Sequence, residues 1–318
     1  MAQPTNTFDS YDAKGIKEDL EDVIYDVSPE ETPFYTACAK VKATNTLHEW
    51  QTDTLRSSAV NAHIEGDDTV AEARTATTRL QNYSQIFKNA VVIAGTEDIL
   101  SKAGRTKEMA YMTMKMAAEQ KLDIEKALFA SQARVIGSST AARKLAGAPA
   151  WLTTNVNFVS ASSGANPNGL GTNTRTDSGA PTAFTQAKFD DVMQDIWASG
   201  GKPDTVYLSS FQQNVALGFV GNNNQRSAVQ AGDEKVVKSM VVYVTPWGTV
   251  EFKPTRENRS SDIFIMQDDM WSCGVLRGTK NQALAKTGDN EKRQVVTELT
   301  LICRNEKASG GIFDNTTS

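Results

Sequence analysis

Apolar and polar positions along this chain form a few periodic blocks separated by long stretches with no period. The longest block runs from Gly104 to Gln132. Between Thr106 and Gln132 it has neither Pro nor Gly and is built largely from Ala, Met, Leu, Glu, Gln and Lys, all strong helix formers. Thr106 is placed to cap the first free N–H groups, and the run predicts a rod of roughly 40 Å. One stripe carries Met109, Met112, Met116, Ile124, Ala127 and Leu128, with Met114, Ala118, Leu122 and Phe129 beside it. Glu108, Lys115, Glu119, Asp123 and Lys126 fall on the far side. A wide apolar face backed by a charged one predicts a helix lying along a sheet, with Met as adaptable core filler.

Other blocks are arranged around this helix. In residues 1–45, Ile16, Leu20, Val23, Ile24 and Val27 share one helical face with acids opposite, and Ser28-Pro29 ends the helix. Thr32-Pro33-Phe34-Tyr35 then turns the chain. This segment reads either as an ordinary surface helix or as an arm whose apolar stripe docks on a neighbouring subunit. Residues 46–94 predict a two-stranded excursion, outgoing over about 46–55 and returning over about 80–94. The Ala/Thr-rich connection Arg56–Arg79 has no core signal, which is unusual inside a compact domain. Residues 97–100 predict a short turn or helix.

After the long helix, 134–147 is small and polar, 151–159 predicts a strand, and 160–181 predicts a loop rich in Ser, Gly, Asn and Thr. Helix 185–199 (Phe189, Val192, Ile196 and Trp197 on one side), strand 205–209 and helix 210–220 give an α/β pattern. Residues 134–240 therefore read as one inserted α/β subdomain. The last third predicts strands at 240–246, 248–253, 262–267, 271–276 and 294–305. They are expected to form one sheet against the apolar face of the long helix. In the last of them Val295, Thr297, Leu299 and Leu301 alternate with Val296, Glu298, Thr300 and Ile302.

Composition sharpens this outline. No aromatic residue lies between Trp50 and Tyr83, or between Phe158 and Phe184, so both stretches are expected to protrude or to lie on the surface. Net charge is −5, and residues 1–33, with nine acids and two bases, carry −7 of it. The remaining 31 bases and 29 acids give +2, which argues against a sequence-specific DNA binder. Cys38, Cys273 and Cys303 are odd in number and far apart, as expected of free thiols. The acidic N-terminus does not resemble a secretory or transit signal, and no apolar run is long enough to span a bilayer, so no membrane partner is expected.

Catalytic tools are scarce. The two histidines, His48 and His63, both fall in the excursion, which argues against a His relay or a His-rich metal site. Gly164 to Gly171 is Gly-rich, but no strand and helix frame it as a phosphate loop. Ser209-Ser210 follows a strand without the glycines of a nucleophile elbow. Asp67-Asp68 and Asp268-Asp269 are a cation site at most and are more simply turn residues. Arg143-Lys144 and Lys292-Arg293 lack interleaved aromatics and read as solvated faces. No catalytic residue, cofactor or metal is expected.

The order of acidic arm, long excursion, long helix, α/β insertion and terminal sheet resembles the major capsid proteins of tailed bacteriophages with the Hong Kong 97-type (Johnson) fold. Two stretches carry the resemblance most clearly. One is Lys17-Glu18-Asp19-Leu20 followed by Ser28-Pro29-Glu30-Glu31-Thr32-Pro33-Phe34. The other is Leu276-Arg277, then Leu284-Ala285-Lys286-Thr287-Gly288-Asp289, then Glu298-Leu299-Thr300-Leu301 and Arg304-Asn305-Glu306. The resemblance implies an α+β fold with an N-arm (1–45), an extended loop (46–94), a peripheral domain (95–133 and 241–318, with spine helix 104–132) and an axial domain (134–240). It implies hexamers and pentamers closing into an icosahedral shell around double-stranded DNA, with a portal and a cementing protein as partners and either a separate scaffolding protein or assembly without one. The location implied is the virion, after assembly in the host cytoplasm. Contacts between subunits would involve Ile16, Leu20, Val23, Ile24, Val27 and Phe34 of the arm and Arg56, Glu65, Asp67, Asp68, Arg74 and Arg79 of the loop. Some relatives weld their shells through a loop lysine, but no Lys occurs here between Lys42 and Lys88, so no such cross-link is expected. The rival readings are a hydrolase or transferase built on 134–240 and a phage decoration or tail-tube protein. The long helix argues against a tail tube, which is mainly β.

Overall fold

A computed structural model describes residues 31–68, 71–100, 107–158, 164–219 and 242–317. The arm positions Ile16, Leu20, Val23, Ile24 and Val27 lie outside the described residues. The chain begins with a short helix α1 (Pro33–Ala37) and strands β1 (Ala39–Lys42), β2 (Leu47–Thr52), β3 (Thr78–Tyr83) and β4 (Gln85–Ala94). A short α2 (Gly95–Ile99) and the long α3 (Glu108–Phe129) follow, then β5 (Val156–Phe158), α4 (Gln186–Ala198), β6 (Thr205–Leu208) and α5 (Ser210–Ala216). The remaining strands are β7 (Val242–Thr245), β8 (Gly248–Pro254), β9 (Ile263–Met266), β10 (Trp271–Leu284), β11 (Asn290–Cys303) and β12 (Gly310–Phe313).

These strands form three sheets. The first, in the order β1-β10-β11-β4, is antiparallel except for the parallel β1–β10 pair. The second, β5-β12-β9-β6-β8-β7, is mixed, and β2 and β3 form a separate ribbon. The predicted single sheet of the last third is therefore corrected, because β10 and β11 join the first sheet while β7, β8, β9 and β12 join the second. The axial α/β unit expected to close at residue 240 likewise draws on strands up to Phe313. Alternation explains the split. In β9, Ile263 and Ile265 pack toward α4, while Phe264 and Met266 pack toward α3, so this strand is buried on both faces and cannot lie at a surface.

The returning strand of the excursion is also corrected. It is two strands in different sheets, divided at the buried Ser84. Asn82 causes the break: its Nδ2 donates to Leu301 O (2.7 Å) and its Oδ1 accepts from Ala146 N (2.9 Å), which pins the chain where it leaves the ribbon. The strand predicted at 151–159 shrinks to β5, because Trp151 sits in a turn.

The long helix packs as its pattern predicts, with Met109, Met116, Ile124, Ala127 and Leu128 buried. It ends at Phe129, three residues early, because Ala130 turns extended (ψ 135) and Gly147 packs against the freed end. A Cβ on Gly147 would lie 2.0 Å from Ala130 O. Two positions differ from expectation. Met114 is exposed, and Glu108 is buried in the first turn, where the helix dipole favours a carboxylate. Gln120 fastens the helix to the sheet: its Nε2 donates to Phe87 O (2.9 Å) and Val295 O (3.1 Å), and its Oε1 accepts from Thr297 Oγ1 (3.1 Å). The main core lies where α3, the first sheet and one face of the second sheet meet; a second core lies between that sheet's other face and α4 and α5.

Candidate subunit-contact surfaces

The β2–β3 ribbon is anchored at one end and open at the other. At its base, Trp50 Nε1 donates to Cys303 O (2.7 Å) and its ring lies 5.4 Å from that of Trp151. The ladder runs from Leu47 opposite Tyr83 to Thr52 opposite Thr78. Beyond it, the described part of 53–77 carries no strand, and Leu55, Val60 and Ile64 are 99%, 96% and 83% exposed. Branched aliphatic side chains left in water on one extended loop form an apolar surface without a partner.

The charged loop residues cluster among themselves. Arg56 Nε lies 3.2 Å from Glu72, Arg74 approaches the same carboxylate at 3.8 Å, and Arg79 pairs with Glu49. Glu65 and Gly66 (φ +82) form a tight turn in which Asp67 N donates to Ile64 O (3.1 Å), and Asp67 also faces His63 at 3.4 Å. Asp68 is exposed just beyond it. Asp67 thus closes a turn and Asp68 follows it, and among the described residues no group of three or more His, Cys, Asp or Glu side chains is placed to hold a metal ion.

Phe34 corrects an expectation. It is fully buried within its own subunit, with ring centroids 4.9 Å from Phe129, 5.3 Å from Tyr207 and 6.0 Å from Trp271. It is the root of the arm and not a contact to a neighbour. Glu125 of α3, which periodicity alone did not single out, holds this root. Its carboxylate accepts from Phe34 N (3.0 Å) and Tyr35 N (2.6 Å), the free donors at the start of α1. Burial raises the Glu125 carboxyl to about 7; the two backbone donors and Lys40 pull against that shift, and Glu257 adds to it.

Two further buried charges escaped the sequence pattern. Glu298 accepts from Arg143 (2.5 Å), Arg277 (2.7 Å) and Ser84 (2.8 Å), which ties β11 to β10, to the junction between β3 and β4 and to the loop after α3. Arg143, read from sequence as solvated, is thus an internal partner; the one visible signal was Glu298 itself, an acid set within the largely apolar run 295–302. Arg175 lies 3.7 Å over the Phe313 ring and donates to Leu152 O (2.8 Å), clipping the aromatic-free 164–182 stretch onto the second sheet. Burial lowers its guanidinium to about 10.

Candidate chemical groups take structural roles. Ser209 Oγ accepts from Gln212 N (3.4 Å) as the N-cap of α5. Asp268 accepts from Thr205 Oγ1 (3.0 Å) and Tyr207 OH (3.1 Å) at a turn. The three cysteines are free, as expected, and all three are buried. No helix among the described residues is long and apolar enough to cross a membrane.

The chain is 26% identical to the major capsid protein of Escherichia phage Phieco32 over 98% of both chains. Its fold matches the capsid subunit of cyanophage A-1(L) with a TM-score of 0.66, at 12% identity over 99% of this chain and 100% of that one. A phage G assembly of major capsid and decoration proteins gives a TM-score of 0.54, at 13% identity over 99% and 100%. The fold is thus the Hong Kong 97 type, and a family model described as SU10 major capsid protein matches residues 3–316. The chain belongs to the SU10 major capsid protein family and is a structural protein of a phage virion.

Proposed function

We propose that the chain assembles into hexamers and pentamers that close an icosahedral head around double-stranded DNA, held by non-covalent contacts. The observation that carries this reading is the open end of the β2–β3 ribbon. Ordering residues 53–77 costs backbone entropy, and the loop has little core of its own to offset it. Burying Leu55, Val60 and Ile64 on an adjacent subunit would return about 1.5–3 kcal/mol for each side chain. One surface meeting a different surface is the arrangement that generates closed rings and shells. The loop therefore lies across the next subunit of a capsomer, and the arm of residues 1–30 reaches a neighbour. A separate scaffolding protein, a portal and a cementing protein complete the head, which forms in the host cytoplasm. The hydrolase or transferase reading has no observation in its favour, since the groups proposed for it cap helices or close turns.

The test is expression of the chain together with its neighbouring head genes, followed by negative-stain electron microscopy. Shells, or rings of five- and six-fold symmetry, are the expected result. The variant L55S/V60S/I64S is expected to keep the stability of the subunit, within about 0.5 kcal/mol for exposed positions, while abolishing shells. Normal shells from that variant would remove the loop from the interface.

A further inference from the structure

The first sheet has two faces, and only one is covered along its full length. Odd-numbered positions of β4 and β11 face α3: Asn89 Nδ2 bonds Asp123 (3.3 Å), and Thr297 bonds Gln120. Even-numbered positions face away. On that side, from Ile86 to the tip of the β10–β11 hairpin, Ile86, Val92 and Leu284 are 47%, 57% and 38% exposed. Interspersed with them are Lys88, opposite Val296, Lys280, also opposite Val296, and Lys292, which lies between Val92 and Leu284. None of the three lysines is ion-paired among the described residues; Lys292 Nζ donates only to Thr287 Oγ1 (2.5 Å). The face is thus apolar and basic at once.

The same chain contains a segment of complementary character outside the described residues. Its stripe Ile16, Leu20, Val23, Ile24 and Val27 is apolar, and at 100° per residue Asp19, Asp22 and Asp26 run down one shoulder of it. Extending the assembly reading above, on which this rests, we infer that residues 16–27 of a second copy of this chain dock on the even-numbered face of the first sheet, the stripe against Ile86, Val92 and Leu284 and the aspartates against the three lysines. Charge complementarity names the segment, because residues 1–33 hold −7 of a chain that totals −5. Geometry favours a second copy over the chain's own arm. The arm leaves from α1, which is fastened to α3 on the opposite side of the sheet, and Phe34 lies beside Trp271 at the far end of β10. From there to Lys280 is roughly 30 Å along the strand, with a sheet edge to round. A nucleic-acid backbone would match the lysines but would leave the three aliphatic side chains uncovered.

Two experiments on the full chain, co-expressed with the neighbouring head genes, test this. In the first, K88E/K280E/K292E is expected to lower the yield of shells by roughly tenfold or more, and adding D19K/D22K/D26K to the same chain to restore most of it. Normal shells from the lysine variant, or no recovery on reversing the arm, would overturn the inference. Intact shells that merely retain less DNA would reassign the face to nucleic acid. In the second, I24C/V92C treated with a short bis-maleimide is expected to give cross-linked dimers and larger species on a denaturing gel; Cys38, Cys273 and Cys303 are buried, which keeps the background low. Cross-links confined to monomers would assign the face to the chain's own arm, and an absence of cross-links would remove the arm from it. Cross-linked dimers without shells from the wild-type chain would keep this contact and overturn the assembly reading instead.

Discussion

Replacing Glu125 by Gln tests the account of the arm root. In the native protein one buried carboxylate accepts both N–H groups at the start of α1. Gln keeps the shape but offers one acceptor and turns an NH2 toward the second donor. Protonated Glu125 has the same shortage, so Gln imitates the protonated form. Burial raises the Glu125 carboxyl from 4.5 to about 7, so the folded state binds a proton more tightly than the unfolded chain does. The sign follows: this group's contribution to stability is fully present below pH 4.5 and is lost as pH rises toward 7. At about 1.4 kcal/mol per pKa unit the full swing is about 3 kcal/mol. E125Q has no such titration, and other titrating groups cancel in the comparison with wild type. Near pH 4.5 the variant should match wild type or fall slightly below it; by pH 8 it should have gained on wild type by about 3 kcal/mol. Urea denaturation of the unassembled subunit across pH 4.5–8, wild type beside variant, measures this. A flat difference would refute the shift. A variant that loses ground as pH rises would show that the two backbone donors outweigh desolvation, so that the carboxyl sits below its ordinary value.

Three further outcomes follow from the same structure. F34A removes a fully buried ring that touches three aromatic neighbours and is expected to destabilise the subunit by about 3–5 kcal/mol, read from the urea midpoint; a loss under about 1 kcal/mol would mean that the arm root is not part of the core. E298A leaves Arg143 and Arg277 without their shared carboxylate and is expected to cost about 3 kcal/mol, at the low end for a buried pair because both arginines reach water. Purified shells boiled in detergent should run as a single band near 34.5 kDa, and a ladder of covalent oligomers mapping to residues 43–87 would contradict the non-covalent assembly.

What could be read from sequence followed the range of the forces involved. The long helix was legible because its face repeats at 3.6 residues over six turns, and its buried positions are largely those of the predicted stripe. The exposed loop was legible from missing aromatics, since a stretch with no large apolar side chain has little to bury. The order of elements sufficed to suggest the family. The contributions of Glu125, Gln120, Glu298 and Arg175 were not legible. Each is a polar residue whose partners lie tens to hundreds of positions away, and nothing local separates it from a solvated one. Phe34 was read as reaching outward because its neighbours in sequence belong to the arm, whereas its neighbours in space are Phe129, Tyr207 and Trp271.

The sequence by itself determined the helices and most of the strands (though not β1 or β12), where the chain carries its charge, and that residues 53–77 lack a core of their own. Only the tertiary structure decided which sheet each strand joins. β9 and the buried first half of β10 follow one another closely, yet they pair in different sheets, because pairing depends on which edge is free when the layers close. The same closure buries one face of the first sheet against α3 and leaves the other, with its lysines and aliphatic side chains, open. Periodicity reports that a strand has two faces; which of them is covered depends on elements elsewhere in the chain, and the pattern of a single strand does not contain that information.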